Sequence, residues 1–62
     1  MKKFALLDNG DITQISENDK NDLERGILLR AINDGKEVYY FKVIATAYTV
    51  GELKYIREKE GL

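Results

Sequence analysis

The 62-residue sequence contains no cysteine, no histidine, no proline and no tryptophan. The lack of cysteine excludes disulfide bonds and thiolate metal sites, and the lack of histidine removes the commonest general base and the imidazole metal ligands. A chain this short has room for one domain, residues 1–62, which buries only about 60% of the surface that the unfolded chain exposes. We therefore expect stability to come from a hydrophobic core alone, or from that core together with an oligomer interface.

Long apolar runs are also missing. No stretch approaches the ~20 residues that span a bilayer, and the run Phe4–Leu7 after Lys2 and Lys3 is too short for the apolar part of a signal peptide. The absence of cysteine fits a cytosolic protein better than a small secreted one. We expect a cytoplasmic protein that makes no contact with a membrane.

The usual signatures of catalysis and of ligand binding are absent. Ser16, the only serine, has no G-x-S-x-G context, and the scattered glycines form no phosphate-binding loop. The acidic stretches DNGD and ENDKND do not fit the EF-hand pattern and are explained by turns and helix capping. We expect no enzymatic activity, no catalytic residue, no metal or cofactor site and no small-molecule substrate.

Charge is distributed unevenly along the chain. Between residues 8 and 24, six carboxylates face a single lysine, whereas basic residues outnumber acidic ones from Arg25 onward. An acidic segment repels phosphate backbones and attracts basic protein surfaces, although solvated surface charge needs no functional explanation. The pI of about 5.3 is far from the basic character of nucleic-acid-binding domains.

The first 16 residues have the pattern of a β-hairpin. Two short apolar runs flank Asn9-Gly10, and Asn-Gly is the favoured pair for a type I′ turn because both central residues take positive φ. This predicts strands at about 2–8 and 11–16.

Ser16 and Asp19 form a capping-box pattern, which predicts the start of a helix, but the end of that helix is left open. In one interpretation the helix continues through residues 27–33 and Gly35 supplies the C-cap. In the other it ends near Gly26, and ILLRAI is a strand that pairs with EVYYFKVI across an Asp-Gly turn. We favour the strand, which would form three cross-strand pairs: Leu28 with Phe41, Leu29 with Tyr40, and Ala31 with Val38.

Residues 37–48, EVYYFKVIATAY, form the densest apolar stretch and predict a central strand that is at least partly covered on both faces. One face carries the predicted core residues Tyr39, Phe41 and Val43. The other carries Val38, Tyr40 and Ile44, which we identify as the candidate contact surface for a partner.

A second capping box, Thr49-Val50-Gly51-Glu52, predicts the start of the last helix. Its apolar stripe contains Val50, Leu53 and Ile56, and Gly61 is placed to end it. We expect this helix to pack on one face of the sheet. A short middle helix or a second copy of the chain would then cover the other face, so a homodimer is one expectation.

The run GKEVYYFKVIATAYTVGELKYI resembles the C-terminal part of short uncharacterised proteins from low-GC Gram-positive bacteria and from their phages and prophages. In those proteins a strand rich in Tyr, Phe and Lys leads through a T-x-x-E-L step into a final helix, and KFALLDNG is similar to their usual start. The resemblance covers about half of the chain, and an acidic residue is commoner in the group where Tyr48 stands here. It implies a small accessory protein of a mobile element and carries no functional residue.

Together these observations predict an α+β fold: an antiparallel sheet of three to four strands in a meander of hairpins, a short middle helix and a C-terminal helix on one face. The predicted function is a small non-enzymatic protein-binding or regulatory module whose partner is an unknown protein or a second copy of the chain. Single-stranded nucleic-acid binding through the aromatic strand, and a purely structural self-associating role, are the alternatives.

Overall fold

Strands and helices account for most of the chain, and the computed structural model describes all of residues 1–62. The four strands are β1 (Lys3–Leu7), β2 (Ile12–Ile15), β3 (Ile27–Ile32) and β4 (Glu37–Ala47). The two α-helices are α1 (Lys20–Glu24), which follows a 3-10 turn at Glu17–Asp19, and α2 (Val50–Glu60). The predicted α+β fold, with its short middle helix and its C-terminal helix, is confirmed.

The strands form one antiparallel, curled sheet in the order β2-β1-β4-β3. The sheet is built from two hairpins, as the sequence predicts, but the hairpins are joined through β1 and β4 and not in the sequential order of a simple meander. The length of β4 explains this order: its first half pairs with β3 and its second half pairs with β1. β4 is therefore a central strand, and β2 and β3 are the edges.

The β1–β2 connection differs from the predicted type I′ turn. Gly10 has φ +91°, but Asn9 does not take a positive φ. The Gly10 N–H donates to Leu7 O at 3.0 Å and the Leu7 N–H donates to Asp11 O at 2.8 Å, which makes a three-residue loop with glycine in the left-handed position. The Asn9 side chain accepts from the Asp11 N–H at 3.0 Å, and this contact favours the longer loop.

Residues 27–32 form a strand, which decides between the two interpretations of this segment. Gly26 takes φ +75°, a conformation that ends α1, and its carbonyl accepts from the Val43 N–H at 2.8 Å, where the pairing of β3 with β4 begins. All three predicted cross-strand pairs are present in the register of the two strands. The predicted Asp34-Gly35 turn is also confirmed, since both residues have positive φ and the Lys36 N–H donates to Asn33 O at 3.2 Å.

Buried leucines lie on both faces of the sheet. Ala5, Leu7 and Leu28 form a cluster on one face, and it is extended by four half-buried residues: Ile15, Leu23, Phe41 and Val43. Leu6 alternates to the opposite face, where α2 packs against β1 and β4, and both Leu6 and Leu53 are fully buried. The α1 helix, which contributes Leu23, and the α2 helix thus cover opposite faces of the same sheet.

The ends of α2 follow the predicted capping pattern. The Glu52 N–H donates to Thr49 Oγ1 at 3.4 Å, and Gly61 ends the helix in the left-handed conformation. Near its end, Arg57 Nη1 donates to Gly10 O at 3.3 Å and so ties the helix to the β1–β2 loop. Neither helix combines the length and the apolar character needed to cross a bilayer.

Candidate protein-contact surface

The three residues selected from the sequence as a contact surface are all exposed on one face of β4. Val38, Tyr40 and Ile44 are 55%, 62% and 42% exposed, respectively. Residues two apart along a strand point the same way, so these side chains form a row in which only Lys42 is charged. Large apolar side chains in a contiguous exposed group are typical of binding surfaces, whereas single ones are ordinary.

The neighbouring strand widens this row into a two-stranded surface. Leu29 lies opposite Tyr40, and Ala31 lies opposite Val38. Leu29 is 37% exposed and Ala31 is also exposed. We call the set Leu29, Ala31, Val38, Tyr40 and Ile44 the hairpin face. The sequence predicted both cross-strand pairs, but it did not identify Leu29 and Ala31 as part of the surface.

Apart from Ile44, the hairpin face is exposed because the β3–β4 hairpin extends beyond the rest of the sheet. β1 pairs only with Val43–Ala47, so Glu37–Lys42 has β3 as its only neighbouring strand. β1 also changes register at this boundary: Leu6 faces Ala45 and Leu7 faces Val43, which leaves Ile44 as an extra residue in β4. The first half of β4 is therefore a two-stranded ribbon, and the second half is part of the packed sheet.

The opposite face of the ribbon corrects one expectation. Tyr39 was predicted to be a core residue together with Phe41 and Val43, but it is 46% exposed, and Ile32 beside it is exposed as well. Phe41 and Val43 do pack against the core cluster. Tyr39 lies one pleat beyond them and beyond Val43, where the pairing with β1 ends, so the alternation of side chains alone could not distinguish it from core.

Charge on this opposite face is neutralised locally by an ion pair. The Arg30 guanidinium lies 3.1 Å from an oxygen of Asp19, and Asp19 is the one buried charged residue of the chain. Asp19 accepts hydrogen bonds from Arg30 and from the Ser16 N–H, the latter at 2.8 Å. These bonds hold the pKa of Asp19 below its ordinary value of 3.8, although burial opposes this shift. Arg30 is therefore engaged and does not act as a free cation beside the aromatic residues.

A second exposed aromatic group lies where β4 runs into α2, and sequence reasoning did not identify it. A shallow groove of about 760 Å³ there is lined by Tyr48 and Tyr55 among others. Lys3 Nζ lies 5.6 Å from the centre of the Tyr48 ring, and Lys59 Nζ lies at the same distance from the Tyr55 ring. The seven-residue spacing of the two tyrosines across the start of a helix is the signal that could have indicated it.

No protein-family model, curated protein or solved structure matches this chain. The hairpin face is therefore assessed by its own chemistry: a mainly apolar, two-stranded surface with one charged residue, Lys42, within it and polar turn residues at its tip. Such a surface suits contact with the apolar and main-chain groups of another protein.

Proposed function

We propose that this protein is a small non-enzymatic protein-binding or regulatory module and that its target contacts the hairpin face. The observation that carries the proposal is the exposure of three large apolar side chains, Leu29, Val38 and Tyr40, on one face of a projecting ribbon, with Ile44 exposed at its base. Exposing such a row costs solubility without benefit to a chain that binds nothing. A partner that covers the row would remove it from water.

Tyr40 is the side chain on which we expect most of the binding energy to depend. It is the largest residue of the hairpin face and lies between Val38 and Ile44, opposite Leu29. Tyrosine is enriched among residues that dominate interfaces, because it offers a large rigid surface and a hydroxyl at the cost of little conformational entropy. The smaller side chains around it would exclude water from the contact.

The test is an affinity purification that uses the full chain as bait in lysate of the source organism. Tyr40→Ala should weaken capture of the target by about 30-fold, which corresponds to a loss of about 2 kcal/mol. The matched control is Tyr55→Ala, because Tyr55 is 63% exposed and Tyr40 is 62% exposed. The control variant should retain the target. Equal retention by both variants, or the lack of any target that depends on Tyr40, would contradict the proposal.

Single-stranded nucleic acid is the second candidate target, and the exposure of both Tyr39 and Tyr40 on the ribbon favours it. Aromatic side chains on exposed strands can stack with unpaired bases. The two rings lie on opposite faces, however, and Arg30 is held by Asp19. A gel-shift assay with an unstructured oligonucleotide at low salt distinguishes the two candidates. A salt-sensitive shift that Tyr40→Ala abolishes favours nucleic acid as the target, and the absence of a shift excludes it.

We further propose that the module acts in the cytoplasm as an accessory protein of a mobile element. The absence of cysteine supports the compartment, and the resemblance of the GKEVYYFKVIATAYTVGELKYI run to phage and prophage proteins supports the context. Phage or prophage genes beside the coding sequence are the expected finding. A conserved chromosomal neighbourhood of unrelated genes would count against the mobile-element context and would leave the protein-binding proposal standing.

A further inference from the structure

The two free edges of the curled sheet approach each other, and the Arg30 side chain bridges them. Along an edge strand, alternate residues turn their main-chain groups away from the sheet. Because Val43 bonds to Gly26 and Leu7 bonds to Asp11, the outward-facing carbonyls include those of Leu29 on β3 and Gln14 on β2. Arg30 Nη1 donates to Leu29 O at 2.7 Å, and Arg30 Nη2 donates to Gln14 O at 3.0 Å.

The bridging guanidinium uses all of its donors. Nε donates to Thr13 Oγ1 at 3.1 Å, and the two remaining N–H groups bind the Asp19 carboxylate at 3.1 and 3.2 Å. A guanidinium has five N–H groups, and each has an acceptor here. Asp19 is in turn fixed by the N–H of Ser16 at 2.8 Å. The side chain is therefore held between the edges, in the place that an added strand would take.

Apart from Arg30, the sequence of β3 contains none of the residues that protect edge strands from pairing with another chain. Its six residues, ILLRAI, contain no proline, no acidic residue and no lysine, and its pairing with β4 has no bulge. Apolar side chains alternate on both of its faces. The outward-facing N–H groups of Leu29 and Ala31 make no main-chain hydrogen bond within the chain. Such an edge is a template for β-pairing.

We propose that the outer edge of β3 is a latent pairing surface for the β3 strand of a second copy of the chain, and that Arg30 blocks it. An antiparallel pairing about a two-fold axis through Leu29 would place Ile27 opposite Ala31 of the second copy and Leu28 opposite Arg30 of the second copy. The register shifted by two residues, with the two-fold axis through Arg30, would place the two Arg30 side chains opposite each other, which like charge disfavours. The first register joins the two sheets into one of eight strands.

This surface uses different groups from the hairpin face, and the inference does not rest on the proposed function. The hairpin face uses side chains that project from the ribbon, whereas the latent surface uses the main chain of the β3 edge. Leu29 and Ala31 contribute side chains to the hairpin face and main-chain groups to the latent surface. Tyr40→Ala therefore affects the hairpin face alone, and Arg30→Lys affects the latent surface alone.

The decisive variant is Arg30→Lys, because lysine retains the charge opposite Asp19 but its single nitrogen has three donors and cannot supply the five hydrogen bonds that hold the guanidinium between the edges. The matched control is Arg25→Lys, since Arg25 also pairs with a carboxylate, Asp22 at 3.2 Å, but does not bridge the two edges. In sedimentation at high micromolar concentration, Arg30→Lys should shift from the mass of the wild type to twice that mass, and Arg25→Lys should match the wild type. Asp19→Asn should shift partway, because it loosens the same guanidinium.

A further substitution identifies the edge that pairs. Ala31→Pro removes an outward-facing N–H and no bond to β4, and proline is tolerated at such edge positions. Added to Arg30→Lys, it should return the mass to that of the wild type, whereas Tyr40→Ala added to Arg30→Lys should not.

Three results would overturn the inference. One is an Arg30→Lys protein with native circular dichroism and unchanged mass. Another is an association that survives Ala31→Pro. The last is failure of both Arg30→Lys and Asp19→Asn to fold, because the bridge would then be a requirement of the fold and not a block on its edge.

Discussion

Both halves of β4 are rich in apolar residues, but they lie in different environments. Val43–Ala47 pairs with β1, lies beside the buried cluster and leads into α2. Glu37–Tyr40 pairs with β3 alone and is exposed throughout, with two tyrosines and a valine in contact with water. The boundary coincides with the change of register that leaves Ile44 unpaired. The difference shows that burial along this strand is set by the reach of its neighbours and not by its own hydrophobicity.

The largest expected effect on stability comes from two consecutive leucines of β3 that lie on opposite faces of the sheet. Leu28 is fully buried opposite Phe41, and Leu29 is partly exposed opposite Tyr40. Leu28→Ala should lower the free energy of unfolding by about 2–5 kcal/mol, because it leaves a cavity in the core. Leu29→Ala should lower it by less than about 1 kcal/mol. Urea denaturation followed by circular dichroism measures both, and similar losses would mean that the ribbon is packed like the core.

The next effect concerns the Arg30–Asp19 pair. Arg30→Ala should cost about 2–4 kcal/mol, because it leaves the buried Asp19 carboxylate without its main partner. Arg25→Ala, which breaks an exposed pair with Asp22, should cost no more than about 1 kcal/mol. The free energies of unfolding of the two variants, measured at neutral pH, provide the comparison. An equal cost would indicate that the bridge across the sheet edges contributes no more than a surface ion pair.

Acid should weaken the same pair. Because the pKa of Asp19 is lower in the folded chain than its ordinary value of 3.8, ionised Asp19 stabilises the fold above that pH, and this contribution is lost as the pH falls below it through the folded-state pKa. Urea denaturation of the wild type from neutral pH to about pH 2 should therefore show a steeper loss of stability than that of Asp19→Asn. Parallel curves for the two proteins would assign the acid sensitivity to other carboxylates.

The smallest effect is expected for one substitution made in each half of β4. Val43→Ala removes a half-buried side chain that packs on the core cluster and should cost about 1 kcal/mol. Val38→Ala removes an exposed one and should change stability by no more than about 0.5 kcal/mol. Because the chemical change is the same at both positions, the difference between the two thermal midpoints reports how differently the two halves of β4 are packed. A larger cost at Val38 would place it in an interface already formed by the free protein.

Local signals in the sequence predicted much of this fold, and contacts between distant residues were the part that they could not predict. Asp34-Gly35 specifies both the turn and the register of β3 against β4, because the turn type fixes which residues face each other. Nothing near β1 or β4 specifies that they pair, since that contact joins residues about 40 positions apart. The exposure of Tyr39 follows from that pairing and was missed for the same reason.

The candidate site also combines a part that local sequence predicted with a part that depends on contacts between distant residues. The alternation of side chains in β4 placed Val38, Tyr40 and Ile44 on one face, and all three are exposed there. The sequence did not indicate the bridge by Arg30, because its acceptors Thr13, Gln14 and Asp19 lie on other elements. Such a bridge depends on the curl of the sheet, which emerges only when both hairpins are packed.

Hydrogen exchange along β4 in the free protein tests most directly the claim that its first half is an open surface. The N–H groups of Val38 and Tyr40 point away from β3 and have no strand beside them, whereas Ala45 and Ala47 lie opposite β1. We expect Val38 and Tyr40 to exchange close to the rate of an unstructured peptide, and Ala45 and Ala47 to exchange only when the whole domain unfolds. Protection of Val38 and Tyr40 equal to that of Ala47 in dilute protein would contradict the claim, because the ribbon would then already be covered.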